Sequence, residues 1–127
     1  VDIYLTSYLN LYLIWNKGIA FGLLSFNEIY IYNIITVIIV VISITVLWMA
    51  IKSVSFKKYS LLGVFAGSLG NLFDRFYYSA VPDFIDFHVN GFHWFIFNVA
   101  DIFITLGIIC LIFDEIFINS KKNEKNY

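Results

Sequence analysis

The chain has 127 residues, 61% of them hydrophobic and 13% charged, with a formal net charge of -1 and one proline. An ordinary soluble domain is roughly 45–50% apolar and about 25% charged, so this composition describes a one-domain membrane protein and excludes an electrostatic nucleic-acid binder. The lone cysteine, Cys110, lies inside an apolar run, which excludes a disulfide framework, a CxxC motif and a thiolate metal site.

At the N-terminus, over about residues 1–25, Leu9, Leu11 and Leu13 alternate with Asn10, Tyr12 and Ile14 before the turn residues Asn16, Lys17 and Gly18. This period of two predicts a small β-hairpin rather than a span. Ser25 and Glu28 then have the S-x-x-E spacing of a capping box, which opens a helix. From Ile29 to Ile51 no residue is charged, and this run makes about 34 Å of helix, enough to cross a hydrocarbon core of ~30 Å. A second apolar run begins at Tyr59 and reaches about residue 76, with Asp74 and Arg75 at its end. Gly63, Gly67 and Gly70 lie along one face of it, as in a helix packed closely against others in lipid. The stretch "YYSAVPDFIDFHVNGFHW" has a turn signal at Asn90-Gly91 and reads as a loop on the bilayer surface. Its histidines, His88 and His93, lack HxxxH spacing and read as interfacial residues without a metal role. The third span runs over about residues 97–118. Tyr30, Tyr32, Trp48, Tyr77, Tyr78 and Trp94 fall near the ends of the apolar runs, where an aromatic belt belongs.

Lysine sets the expected orientation. Lys52, Lys57 and Lys58 fill the connection 52–58, and Lys121, Lys122 and Lys125 lie in the tail 119–127, whereas the other side carries only Lys17 and Arg75. The positive-inside rule places the connection and the tail in the cytoplasm and residues 1–28 and 77–96 outside. A chain that starts outside with Val1 implies an upstream export signal or transmembrane helix. The expected fold is an all-α polytopic membrane protein in one domain, 1–127, with three spans at about 29–51, 59–76 and 97–118. A small extracytoplasmic β platform completes it.

Seven polar residues gather at the predicted outer face: Asn16, Asn71, Asp74, Arg75, Asp83, Asn98 and Asp101. Each has a structural reading. Asn98 and Asp101 have the spacing of an N-cap and an N3 carboxylate favoured by the helix dipole. Asp74 and Arg75 mark a span's end, and Asn16 and Asp83 suit turns. These readings leave the clustering unexplained, and ionisable groups at a membrane face are functional candidates. Two neighbouring carboxylates cannot both ionise easily, so one keeps a proton, and the pair supplies a base to activate water and an acid to protonate a carbonyl. No serine has a partner histidine or lysine in view, and Cys110 is too deep to act as a nucleophile. Aspartyl hydrolysis is the reading that remains. Two alternatives stay open: an ion-coupled transporter, whose carboxylates lie typically near the bilayer midplane, and a non-catalytic assembly subunit that uses only the glycine face.

The segments "NKGIAFGLL" (16–24), "GSLGNLFDR" (67–75), "VPDFIDF" (81–87) and "FNVAD" (97–101) follow the order and spacing of the lipoprotein signal peptidase (signal peptidase II) family, which the chain resembles over almost its whole length. The resemblance implies an inner-membrane aspartyl endopeptidase, without metal or cofactor, that removes the signal peptide of diacylglyceryl-modified prolipoproteins just before the lipidated cysteine. It implies Asp83 and Asp101 as catalytic dyad, with Asn16, Gly18, Asn71, Arg75 and Asn98 around the site and Asp74 ordering the Arg75 region. It also implies a monomer in contact with membrane lipid, a lipidated substrate entering sideways, and a signal helix lying along the glycine face of the second span. Pro82 and Ser68 depart from the family pattern, which has a second valine and a second glycine there. Family members have four spans, one more than is legible in this chain.

Overall fold

The computed structural model describes residues 2–19 and 29–125. Strands β1 (Ile3–Tyr4) and β2 (Leu9–Asn16) precede two long helices, α1 (Ile29–Lys52) and α2 (Ser55–Tyr78). Strands β3 (Val81–Val89) and β4 (Phe92–Phe97) follow, then helix α3 (Val99–Phe113). The last helix runs on through a π-helical stretch, Asp114–Asn119, into a final short helix α4 (Ser120–Glu124).

The four strands form one antiparallel sheet in the order β1-β2-β3-β4. An all-α description with a small platform therefore understates the fold. β2 is a strand, as its alternation predicts, but its described partners are β1 on one edge and β3 on the other. The expected hairpin partner after Gly18 falls largely in residues 20–28, as does the Ser25/Glu28 capping box, and both lie outside the described residues.

The segment read as a surface loop is the hairpin β3–β4, closed by Asn90 (φ 49°) and Gly91 (φ 78°). Positive φ at both positions is the type I′ geometry that an Asn-Gly pair favours. The strands were hidden because their carboxylates are buried on both faces of the sheet. Asp83 and Asp86, three residues apart on β3, lie on opposite faces and are both buried, while Phe84 and Phe87 on the same strand are 37% and 42% exposed.

The same inversion holds for the whole molecule. The largest fully buried side chains among the described residues are Asp83, Asp86 and Asp101, whereas Ile34, Val37, Ile38, Val41, Ile42 and Ile44 of α1 are all more than half exposed. Water would penalise such an exterior, and lipid would not. α1 is long and apolar enough to cross a membrane.

Small residues let the helices approach. A β-carbon at Gly67 would lie 2.5 Å from the carbonyl oxygen of Ala100, and one at Gly107 would lie 2.8 Å from that of Ser60. The glycine face of α2 is thus filled by α3 at Gly67, which leaves no room there for the signal helix expected along it, whereas Gly70 borders an open groove. Between α1 and α2, the Ser68 hydroxyl shares a short hydrogen bond with that of Ser43.

Candidate active site

Asp83 enters from β3 and Asp101 from the first turn of α3, and both are almost wholly buried. Three asparagines hold them. Asn16, the last residue of β2, donates from Nδ2 to Asp83 Oδ2 at 3.0 Å, and Asn98 Nδ2 donates to Asp83 Oδ1 at 2.9 Å. Asn71 of α2 donates from Nδ2 to Asp101 Oδ1 at 3.0 Å. Asn98 also donates to Asn71 Oδ1 at 3.0 Å, so one side-chain amide joins the two halves of the network.

The helix cap is present as well. Asn98 Oδ1 accepts from the Asp101 backbone N–H at 3.1 Å, and Asp101 Oδ2 accepts from the Asn98 N–H at 3.1 Å, a reciprocal capping box. The cap uses one oxygen of Asp101 and leaves the other to Asn71. Structural and chemical readings of Asp101 are therefore compatible.

A cavity of about 30 Å³ lies between these groups, lined by Asn16, Asn71, Arg75, Asp83 and Asp101 among others. A water molecule needs roughly 10–15 Å³ of such space and two to four polar partners, so the cavity has room and ligands for one. Burial pushes the Asp83 carboxyl up to about 6, and the charge of Asp101 adds to the effect, against the lowering influence of the hydrogen bonds from Asn16 and Asn98. Near neutral pH this group can hold or release a proton.

Arg75 braces the site from behind. Its Nε donates to Thr36 Oγ1 at 3.0 Å, its Nη1 makes a short bond to the Gly18 carbonyl, and its Nη2 lies 3.4 Å from the Lys17 carbonyl. The guanidinium sits over the Tyr32 ring, 4.5 Å from the centroid, and the Tyr32 hydroxyl donates to the Arg75 carbonyl at 3.1 Å. The Gly18 N–H in turn donates to Asn16 Oδ1 at 2.7 Å, so Arg75 fixes the turn that aims Asn16 at Asp83.

The structure thus brings together Asn16, Gly18, Asn71, Arg75, Asp83, Asn98 and Asp101. Asp74 stands apart from this network, and its expected part in ordering the Arg75 region does not run through a direct ion pair. Among the described residues no ion pair joins Asp74 to Arg75, whose donors go to Thr36 and the 17–18 carbonyls. Helical geometry explains this, since adjacent residues on a helix do not face each other. Asp74 instead lines an open groove of about 590 Å³ with Leu69, Gly70, Phe73, Phe84 and Asn98. Tyr32 and Thr36 were not legible as site residues. In sequence they are two polar groups in an apolar run, and only their spacing of four, one helical turn, hints at a shared face.

An apolar exterior enclosing a small, carboxylate-lined cavity defines a membrane enzyme. Residues 1–117 match the signal peptidase (SPase) II family, and the chain belongs to that family of proteases. A lipoprotein signal peptidase of Pelagibacter ubique is 57% identical over 99% of this chain and 76% of its own length. That of Anaplasma phagocytophilum is 41% identical over 96% of this chain and 78% of its own. For the Rickettsia africae enzyme the identity is 45%, over 86% of this chain and 55% of the relative. Two solved structures, both of a bacterial membrane enzyme, superpose with TM-scores of 0.75 and 0.74 at 28% and 30% identity. They cover 96% and 93% of this chain, which spans 74% and 76% of theirs.

Proposed function

We propose that the protein is an aspartyl endopeptidase that cleaves the signal peptide from diacylglyceryl-modified prolipoproteins, immediately before the lipidated cysteine. The observation that carries this reading is the water-sized cavity shared by Asp83 and Asp101. The named relatives, all lipoprotein signal peptidases, supply the substrate class.

In the proposed mechanism the lipidated precursor enters sideways from the bilayer, with its acyl chains remaining in lipid. The groove beside Leu69, Gly70 and Phe73 leads to Asn98 and receives the chain near the scissile bond. The ionised aspartate takes a proton from the cavity water, and the protonated one donates to the peptide carbonyl oxygen. The resulting tetrahedral carbon collapses, its C–N bond breaks, and the amine leaves with a proton from the dyad. Asn16, Asn71 and Asn98 hold both carboxylates in place throughout. These steps need no metal or organic cofactor, and one chain supplies every group, which suits a monomer.

The topology proposed with it has three spans, at about 29–51, 59–76 and 97–118, in the cytoplasmic membrane. The lysine-rich connection and tail face the cytoplasm, and the sheet and dyad lie at the extracytoplasmic face.

The test is cleavage of a diacylglyceryl-modified prolipoprotein by the purified enzyme, with ion flux in proteoliposomes measured in parallel. Asp83→Asn and Asp101→Asn should each reduce cleavage by orders of magnitude while insertion persists. Unimpaired cleavage in either variant, or flux without cleavage, would sink the proposal.

A further inference from the structure

A second cluster of ionisable groups lies on the hairpin β3–β4, apart from the dyad. Asp86 and His88 are two residues apart on β3 and share a face, and His93 of β4 pairs directly with His88 across the Asn90-Gly91 turn. Candidate ligand atoms of the three residues all lie within 4.8 Å of one another. His93 Nδ1 is 2.8 Å from both oxygens of Asp86, and His88 Nδ1 is 3.4 Å from Asp86 Oδ2.

The arrangement is poorly satisfied by protons alone. Asp86 has no exposed surface, and His93 supplies its hydrogen bonds. The His88 Nδ1 is buried without a hydrogen-bond partner although it points toward the same carboxylate. A buried polar nitrogen without a partner is destabilising. A cation bound by both imidazoles and the carboxylate would satisfy all three at once.

We propose that Asp86, His88 and His93 bind a divalent transition-metal ion, with Zn²⁺ the best fit. A tetrahedral Zn²⁺ with bonds of about 2.0–2.1 Å holds its ligand atoms about 3.3 Å apart; the Asp86–His88 separation of 3.4 Å matches this, and the Asp86–His93 separation of 2.8 Å would open by about half an ångström on binding. Two neutral imidazoles and one carboxylate suit zinc better than Mg²⁺ or Ca²⁺, which prefer oxygen. The side chain of His93 is 46% exposed, which provides access from solvent and a place for water as fourth ligand. The ion would staple the two strands of the hairpin. β3 carries Asp83, and β4 leads straight into Asn98, so the staple sets the spacing of two groups in the active-site network.

The sequence pattern D-x-H-x-N-G-x-H holds this site in plain view, because alternation on a strand and a two-residue turn bring the three side chains to one face. A search for helical HxxxH spacing overlooks it.

The experiment uses the complete enzyme in detergent, purified without a histidine tag and stripped with a chelator. Zn²⁺ is titrated in competition with a chromophoric chelator, and Co²⁺ is followed by its visible ligand-field bands. The parent should bind one ion per chain with a four-coordinate Co²⁺ spectrum and a raised melting temperature. His88→Ala and His93→Ala should each weaken binding at least tenfold, and the double variant should abolish it, with far-UV circular dichroism unchanged. Asp83→Asn should keep the ion, since the dyad is a separate group. No binding by the parent, or binding that survives in the double histidine variant, overturns the proposal. So does loss of the ion in Asp83→Asn. If Asp86→Asn does not fold, the histidine variants decide alone.

Discussion

A single side chain at the centre of the site, Asn98, carries two tasks that substitution can separate. It caps α3 through Oδ1 and donates to Asp83 and Asn71 through Nδ2. Asn98→Asp keeps an N-cap oxygen, and aspartate caps helices as well as asparagine does. It removes the amide donor and sets a third carboxylate beside the pair. Cleavage should fall at least tenfold, whereas Asn98→Ser, which caps but cannot reach as far, should lose activity without adding charge. Comparable cleavage in Asn98→Asp and the parent would show that only the cap matters. Asp83 offers a prediction about pH. Its carboxyl is raised to about 6, so the folded state prefers the protonated form. This preference stabilises the fold fully below the unfolded carboxylate value near 4 and is lost as pH rises through 6. Asp83→Asn removes the charge that is penalised at high pH. Thermal unfolding in detergent should show the variant more stable than the parent at pH 8, by on the order of 2–3 kcal/mol. Well below pH 4 the difference should vanish. A variant equally or less stable at pH 8 would mean that Asp83 is not a penalised charge.

Helix packing depends on a pair of close approaches rather than on one motif. Gly67 faces Ala100 and Ile104 of α3, and Gly107 faces Ser60 and Val64 of α2. A methyl group at either position meets a backbone carbonyl, which cannot yield as a side-chain tip can. Gly67→Ala and Gly107→Ala should therefore each cost about 1–3 kcal/mol, as overpacking does in tight cores. Gly63→Ala, whose β-carbon would find its nearest neighbour at 4.0 Å, should be almost neutral. Melting temperatures of the three variants in one detergent check the ranking, and equal losses would contradict it. The GxxxG reading of Gly63 and Gly67 found the correct face of α2, but sequence does not show that the second close contact comes from Gly107 on another helix. The helices were legible because long apolar runs need only periodicity and length. β3 and β4 were not, because β3 buries Asp83 on one face and Asp86 on the other, and a reading that sends polar groups outward turns Asp83, Asp86 and His88 into loop residues. The asparagines and aspartates of the site were legible as a group, since their positions at the ends of apolar runs are one-dimensional facts. Their partners in depth, Thr36 and Tyr32 around Arg75, are visible only once α1 and α2 are packed.

At the scale of the molecule, polar groups are inside and apolar ones outside, which is stable only where lipid replaces water around the helices. The proposed topology follows from lysine placement and can be tested without disturbing any charge. Ser7, in the exposed connection between β1 and β2, and Ser120, exposed at the start of α4, are each nearly the size of cysteine. Neither contributes to the site or to the lysine bias on which orientation depends. Cys110 is free and half-buried, so Cys110→Ala removes the background thiol. In that background, Ser7→Cys should react with a membrane-impermeant maleimide on intact spheroplasts, and Ser120→Cys should react only after the membrane is opened. An even number of crossings among α1, α2 and α3 would put both cysteines on one side, and α1 crossing alone would require α2 and α3 to lie within one leaflet or pair as a re-entrant unit. Opposite labelling alone would still permit one crossing or three. A third cysteine at Ser53, in the short connection between α1 and α2, removes that ambiguity together with a fourth at Ser79, which follows α2. Three crossings require Ser53→Cys to behave like Ser120→Cys and Ser79→Cys to behave like Ser7→Cys. Reaction of Ser79→Cys only after opening would mean that α2 does not cross, and it would contradict the pairing of β2 with β3, which holds Asn16 and Asp83 on one side of the membrane.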